Sequence, residues 1–244
     1  MASPDREQPA AAADRPQAVL LVGPTAAGKT PLGDALQAGG LWGRACRHFD
    51  FGRVVRACVV GEGAWGLAPG QCALLALLLR KGALLEDEHW PMAERLFGAF
   101  LARLQPPPRG GLPRPPRAQE PRRPGKAAAR PPVGDPLIVL NGLPRHTGQA
   151  ERMDRLVRMR AVVHLACPDE AVRARIRRDP GGDRAERDDD DPARLRRKLA
   201  VYRERTEPLL AHYAACGVPV ILVDVDAAAT PDAMRAELER RGPP

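Results

Sequence analysis

Ala18-Val19-Leu20-Leu21-Val22 runs directly into Gly23-Pro24-Thr25-Ala26-Ala27-Gly28-Lys29-Thr30. A continuous apolar run of this length reads as a strand buried on both faces. The eight residues after it form a Gly-x-x-x-x-Gly-Lys-Thr loop, and Leu32, Ala35 and Leu36 beyond it are spaced for the inner face of a helix. Glycine lets the backbone fold around an anion, so that several N–H groups and a helix N-terminus point at it. The lysine then reaches the terminal phosphates and the threonine hydroxyl can ligate magnesium. The pattern predicts a site for ATP at Gly23, Ala26, Ala27, Gly28, Lys29 and Thr30, with Mg2+ at Thr30.

Further apolar runs follow at 137–140, 161–166 and 219–223, with a shorter one near 46–50. Between them lie amphipathic patterns at 31–38, 71–81, 88–104, 149–159, 169–178, 192–215 and 231–241. Strands alternating with helices predict an α/β protein, a five-stranded parallel sheet flanked by helices in the P-loop NTPase manner. Ligands should gather at the carboxyl ends of its strands.

Two stretches fall outside this pattern. Residues 1–17 are rich in Pro, Ala and charge and read as a disordered tail. Residues 106–132 hold ten of the 27 prolines, and proline's missing donor excludes a helix, so a disordered insertion is expected there. That insertion carries seven Lys or Arg against one Glu, which leaves +2 of the net +8 for the rest of the chain. The basic balance therefore says little about nucleic acid as a partner, and only the insertion leaves open a tether for RNA or an acidic protein. The five cysteines are scattered, with no C-x-x-C pair for zinc, and read as small core residues. No run is long enough to span a bilayer and the N-terminus lacks a signal-like apolar stretch, so a cytoplasmic monomer acting on small nucleotides is expected.

The strand Leu137-Ile138-Val139-Leu140 leads into Asn141-Gly142-Leu143-Pro144-Arg145, with Gln149 four residues on. Earlier, His48-Phe49-Asp50-Phe51-Gly52-Arg53-Val54-Val55-Arg56 follows the first helix. Later come Arg187-Asp188-Asp189-Asp190-Asp191, a helix from Leu195 to Tyr202, and Thr206-Glu207-Pro208-Leu209. In this order the motifs resemble the adenylate kinase family of nucleoside monophosphate kinases, from residue 18 to about 240 apart from the insertion. The resemblance implies one kinase-like domain over 18–241, with an acceptor-binding flap at 56–85 and a short lid at 179–191. It implies an acceptor phosphate held by Arg56 and Arg145, and acceptor contacts from Leu84, Leu85 and Gly142. Gln149 would read the acceptor base. Lid and transfer-site cations are implied at Arg175, at Arg178 or Arg177, at Arg187 and at Lys198. The implied reaction is ATP + NMP = ADP + NDP, with AMP the leading acceptor. Phosphoryl transfer between two polyanions needs converging cations more than a base or nucleophile, which agrees with this residue inventory.

The chain departs from the family at four places. Asn141 stands where the family has an aspartate serving magnesium, and Arg53 replaces a second acid facing the same region. Lys198 replaces an arginine, exchanging a planar fork for a point charge. Phe51 stands where a threonine contacts the acceptor base. Two other readings follow. One is a P-loop kinase of a small-molecule alcohol, for which Asp50 is the candidate base; the other is a catalytically degenerate ATP-binding protein.

Overall fold

The computed structural model describes residues 15–81, 85–104, 135–179 and 191–244. The 1–17 tail (all but its last three residues), the 106–132 insertion and nearly all of the expected lid lie outside these residues. Five strands, β1 Gln17–Val22, β2 Cys46–Asp50, β3 Leu137–Asn141, β4 Arg158–Ala166 and β5 Val220–Asp224, form one parallel sheet in the order β2-β3-β1-β4-β5. This is the five-stranded α/β sheet that the apolar runs predict.

Successive side chains on a strand point to opposite faces, so each central strand feeds two cores. Leu20, Val22, Ile138, Leu140 and Phe49 enter one, with Trp90, Leu96, Phe97 and Tyr213 from the covering helices. Val19, Leu21, Val139, Val163 and Leu165 enter the other, against Leu32, Leu36, Val172 and Leu238. Phe49 meets Phe97 edge-on with ring centroids 5.1 Å apart, a favoured aromatic geometry that fixes the tip of β2.

The helices are α1 Lys29–Gly39, α2 Phe51–Val59, α3 Pro69–Lys81, α4 Trp90–Leu104, α5 Thr147–Met153, α6 Asp169–Arg178, α7 Pro192–Val201, α8 Pro208–Ala215 and α9 Pro231–Arg241. Three differ from the sequence expectation. Helix α2 was not foreseen; Asp50 caps it by accepting from Arg53 N at 2.9 Å, and Val54, Val55 and Cys58 form its buried stripe. Helix α5 stops at Met153 instead of near 159, because Arg158 already joins the sheet beside β1 and donates to Pro16 O. The helical pattern over 192–215 is interrupted by a π turn at Tyr202–Thr206, where the helix read from Leu195 to Tyr202 ends. Cys58 and Cys72 are not isolated core thiols, since their sulfurs lie 2.7 Å apart where α2 meets α3. No helix among the described residues is long and apolar enough to cross a membrane.

Candidate active site

The phosphate loop leaves the tip of β1 and enters α1. Gly28 precedes the helix at φ 89°, a left-handed conformation, and a Cβ there would lie 2.9 Å from Arg175 Nη2. Only glycine fits that backbone and that space. Ala26 also has positive φ, 61°, which costs an L-residue about 1 kcal/mol. Arg175 accounts for how the strain is held. It is 2 % exposed, its Nε donates to Ala26 O at 2.8 Å, and its Nη1 donates to Asp226 O at 2.9 Å and Ala229 O at 2.8 Å. The guanidinium thus ties the loop to the segment after β5. The resemblance implied a cation of the lid and transfer site; the bonds to three backbone carbonyls also give Arg175 the place of a brace. Lys29 curls over the same loop, donating from Nζ to Gly23 O at 2.7 Å and Pro24 O at 2.6 Å.

Strand register sets the next layer. Asn141 at the tip of β3 is level with Asp50 on β2 and Leu21 on β1. Their side chains close on the loop hydroxyl. Thr30 Oγ1 donates to Asp50 Oδ2 at 2.6 Å, while Asn141 Nδ2 donates to Thr30 Oγ1 at 3.0 Å and to Asp50 Oδ2 at 2.9 Å. All three residues are buried. Sequence reasoning had Asp50 only as a possible base; the signal for this arrangement was its position as an N-cap at the end of a strand. Arg53 is turned outward, forking onto both oxygens of Asp34 at 3.0 and 2.8 Å. His48 Nδ1 joins Asp34 from the other side at 2.9 Å. Burial alone would raise the Asp34 carboxyl, but the hydrogen bonds from His48 and Arg53 outweigh it and hold the group well below the usual carboxylate range.

Arg56 and Arg145 flank the same strand tips. Arg56 sits half-buried on α2 with its guanidinium toward Gly52, at the start of that helix. Gly142, three residues before Arg145, comes close to Phe51 and Gly52. Among the described residues neither guanidinium has a hydrogen-bond or ion-pair partner. Desolvation pushes Arg145 down to about 10, which leaves it cationic at neutral pH. The Gln149 side chain is buried and doubly engaged: Oε1 accepts from Arg145 N at 2.8 Å, and Nε2 donates to Leu85 O at 2.6 Å. It fastens the strand-tip loop to the end of the expected acceptor flap, a role the resemblance did not supply. Leu85 is buried beneath it, while Leu84 and Arg187 lie outside the described residues.

A cleft of about 630 Å³ opens beside Pro24, between the ends of β4 and β5 and the α7–π segment. His164, Asp169, Tyr202, Arg203 and Asp226 line it. Tyr202 Oη lies 3.3 Å from His164 Nε2, and burial lowers the histidine and raises the phenol from their ordinary values. Lys198 is half-buried on α7, next to the cleft residue Leu199, and Arg178 is exposed at the last turn of α6. The π turn carries Arg205 onto Glu86 at 3.0 Å, joining this wall to the flap's end and holding the Glu86 carboxyl below its usual range. Of the expected site residues within the described chain, Lys198 and Arg178 are not among those that line this cleft.

No family model matches the chain. Over 109 residues it is 41% identical to the adenylate kinase of Thermus thermophilus, covering 41% of this chain and 54% of that enzyme. It is 36% identical over 104 residues to the adenylate kinase of Deinococcus radiodurans, 39% of this chain and 51% of the relative. The adenylate kinase of Hyphomonas neptunium is 33% identical over 112 residues, 44% of this chain and 57% of the relative. The chain thus spans about half the length of the curated relatives it matches. Among solved structures, a gluconokinase from Sinorhizobium meliloti 1021 aligns over 93% of this chain and 94% of its own, with a TM-score of 0.47 and 14% identity. Together with the phosphate loop on β1 and the Gly142-Leu143-Pro144-Arg145 turn on β3, these matches make the chain similar to the adenylate kinases over about half of their length.

Proposed function

We propose that the protein transfers the γ-phosphoryl group of ATP to a nucleoside monophosphate, with AMP the leading acceptor. One observation carries this reading. Arg56 and Arg145, two cations without a protein partner among the described residues, flank strand tips that also hold the phosphate loop. A half-buried guanidinium with no carboxylate beside it has lost hydration without compensation, and an incoming phosphate restores the balance. Two polyanions, one on the loop and one on these arginines, then meet across the ends of β1, β2 and β3.

Such a transfer asks the protein for position and charge rather than covalent chemistry. The loop amides and Lys29 hold the donor, the ammonium exchanging its contacts with Gly23 and Pro24 carbonyls for phosphate oxygens. Arg56 and Arg145 hold the acceptor phosphate in line with it. Lys198, Arg178 and Arg187 are proposed to add charge from the lid side when the site closes and excludes water. Thr30 suits magnesium: its hydroxyl, a hard oxygen ligand, gives its proton to Asp50 and accepts from Asn141, which fixes where the oxygen points. When bound, the ion neutralises charge developing on the β- and γ-phosphates.

The alcohol-kinase alternative needs Asp50 as a base. Both of its oxygens are already engaged, Oδ2 by Thr30 and Asn141 and Oδ1 by Arg53 N, which weighs against that role. A steady-state screen of AMP, CMP, UMP, GMP and dTMP with MgATP, beside a panel of sugars and cyclic alcohols, tests the choice. Diphosphate formation from at least one monophosphate is expected; turnover confined to alcohols would reject it.

A further inference from the structure

We propose that Asp50 is the carboxylate that orders magnesium at the phosphate loop, the acid having moved from the tip of β3 to the tip of β2. The proposal rests on the nucleotide-transfer reading and deepens it. The family likeness leads one to expect an aspartate at position 141; this chain has an amide there, and an aspartate directly across the β2–β3 pairing. Acid and amide are complementary in this exchange. Asn141 Nδ2 donates to Asp50 Oδ2 at 2.9 Å, whereas two carboxylates at that separation would repel.

Capping α2 does not by itself require the charge of Asp50. As a helix cap it need only accept from Arg53 N, and asparagine, serine or threonine would do that without burying a charge. Asp50 is nonetheless 7 % exposed, and among the described residues its partners are all neutral donors: a hydroxyl, an amide and a backbone N–H. Arg53, whose backbone N–H Asp50 caps, sends its guanidinium to Asp34. A buried carboxylate in such company fits a cation that belongs to the ligand.

The acceptor inventory locates that cation's contacts. An ionised carboxylate offers about four lone-pair sites, and three hydrogen bonds on Asp50 leave one. Magnesium retains several waters when it binds protein. The Thr30 hydroxyl of the phosphate loop would meet the ion directly, and Asp50 would accept from one of its waters while fixing the threonine rotor. Asp50 is in this sense a positioning residue.

The test reads metal binding and not turnover. Mn2+ is titrated by electron paramagnetic resonance into the full chain carrying the non-hydrolysable ATP analogue AMPPNP, and AMPPNP affinity is measured separately without metal. Losing an outer-shell carboxylate typically weakens metal binding about 10- to 100-fold. Asp50→Asn should show that loss with metal-free AMPPNP affinity unchanged. The exchange variant Asp50→Asn/Asn141→Asp keeps the cap, restores the charge across the strand pair, and should recover the Mn2+ affinity. Equal Mn2+ affinity in wild type and Asp50→Asn overturns the proposal, as does a parallel loss of metal-free binding, which would mark a structural role. If the wild type binds no AMPPNP with or without metal, the nucleotide-transfer reading itself fails, a result distinct from either.

Discussion

Replacing Arg175 by methionine separates a brace from a transfer cation. The side chain is 2 % exposed and donates to three carbonyls, those of Ala26, Asp226 and Ala229. Each hydrogen bond to a charged group contributes about 1.5–3 kcal/mol, and each buried acceptor left without a donor costs about 1–3 kcal/mol. The truncation also removes the expense of burying a guanidinium, so the sum falls well short of three full bonds. A net loss of about 3 kcal/mol is the reasonable centre, matching the lower end for breaking buried charged contacts. For a domain of this size that is about 6–12 °C in Tm. The positive-φ backbone at Ala26 loses its anchor at the same time, so donor affinity should fall with stability. Arg175→Lys should fail nearly as badly, because one ammonium cannot reproduce donors at both Nε and Nη1. Calorimetry and titration with AMPPNP read both quantities. Wild-type Tm and nucleotide affinity in Arg175→Met, with only kcat reduced, would refute the brace and return Arg175 to the transferring phosphate.

Five further substitutions probe three separate links. Arg145→Ala and Arg56→Ala should each cost about 2–5 kcal/mol of acceptor binding, at least about a 30-fold fall in kcat/KM for the monophosphate. Their Tm should not drop, since neither guanidinium has a protein partner among the described residues; a large loss of stability would contradict that picture. Gly33→Ala places a Cβ 2.3 Å from His48 Nε2, on a ring tethered to Asp34, so overpacking of about 1–3 kcal/mol should outweigh the better helix former. Gly98→Ala on α4 meets nothing within 4 Å and should stabilise instead; equal behaviour of the two glycines in thermal melts would be evidence against the packing described. Asp34→Asn tests the linked carboxylate. Its folded-state pKa is depressed by His48 and Arg53, so its contribution is present above the unfolded value of about 3.9 and disappears as pH falls through the folded one. The Tm gap between wild type and Asp34→Asn should shrink between pH 5 and pH 2, and a constant gap would speak against the linkage.

The sheet was legible because a strand buried on both faces has to be a continuous apolar run, and four apolar runs stand out between helical patterns, although the last, β5, leaves Val220 and Leu222 exposed. The order β2-β3-β1-β4-β5 was not legible, since hydrophobicity fixes a strand's faces but not its neighbours. Helix α2 escaped notice because its nine residues hold two arginines among short apolar ones, and its clearest mark was the cap at Asp50. The phosphate loop was readable from local chemistry alone. What the chain hid were contacts between distant segments: Arg175 with Ala26, Gln149 with Leu85, and Thr30 with Asp50 and Asn141. Each is set by which strand tips stand side by side. Gln149 shows the limit of analogy most plainly, because position matched the family while the recorded partners are Arg145 N and Leu85 O rather than an open acceptor site.

The central claim is that donor and acceptor phosphates meet end to end between the loop on β1 and the arginines beside β2 and β3. Calorimetric titration with P1,P5-di(adenosine-5′) pentaphosphate, which spans both sites with one polyphosphate, tests it most directly. The bridged compound should bind more tightly than ATP and lose that advantage in Arg56→Ala and Arg145→Ala. Affinity no greater than that of ATP, or an advantage indifferent to both arginines, would contradict it.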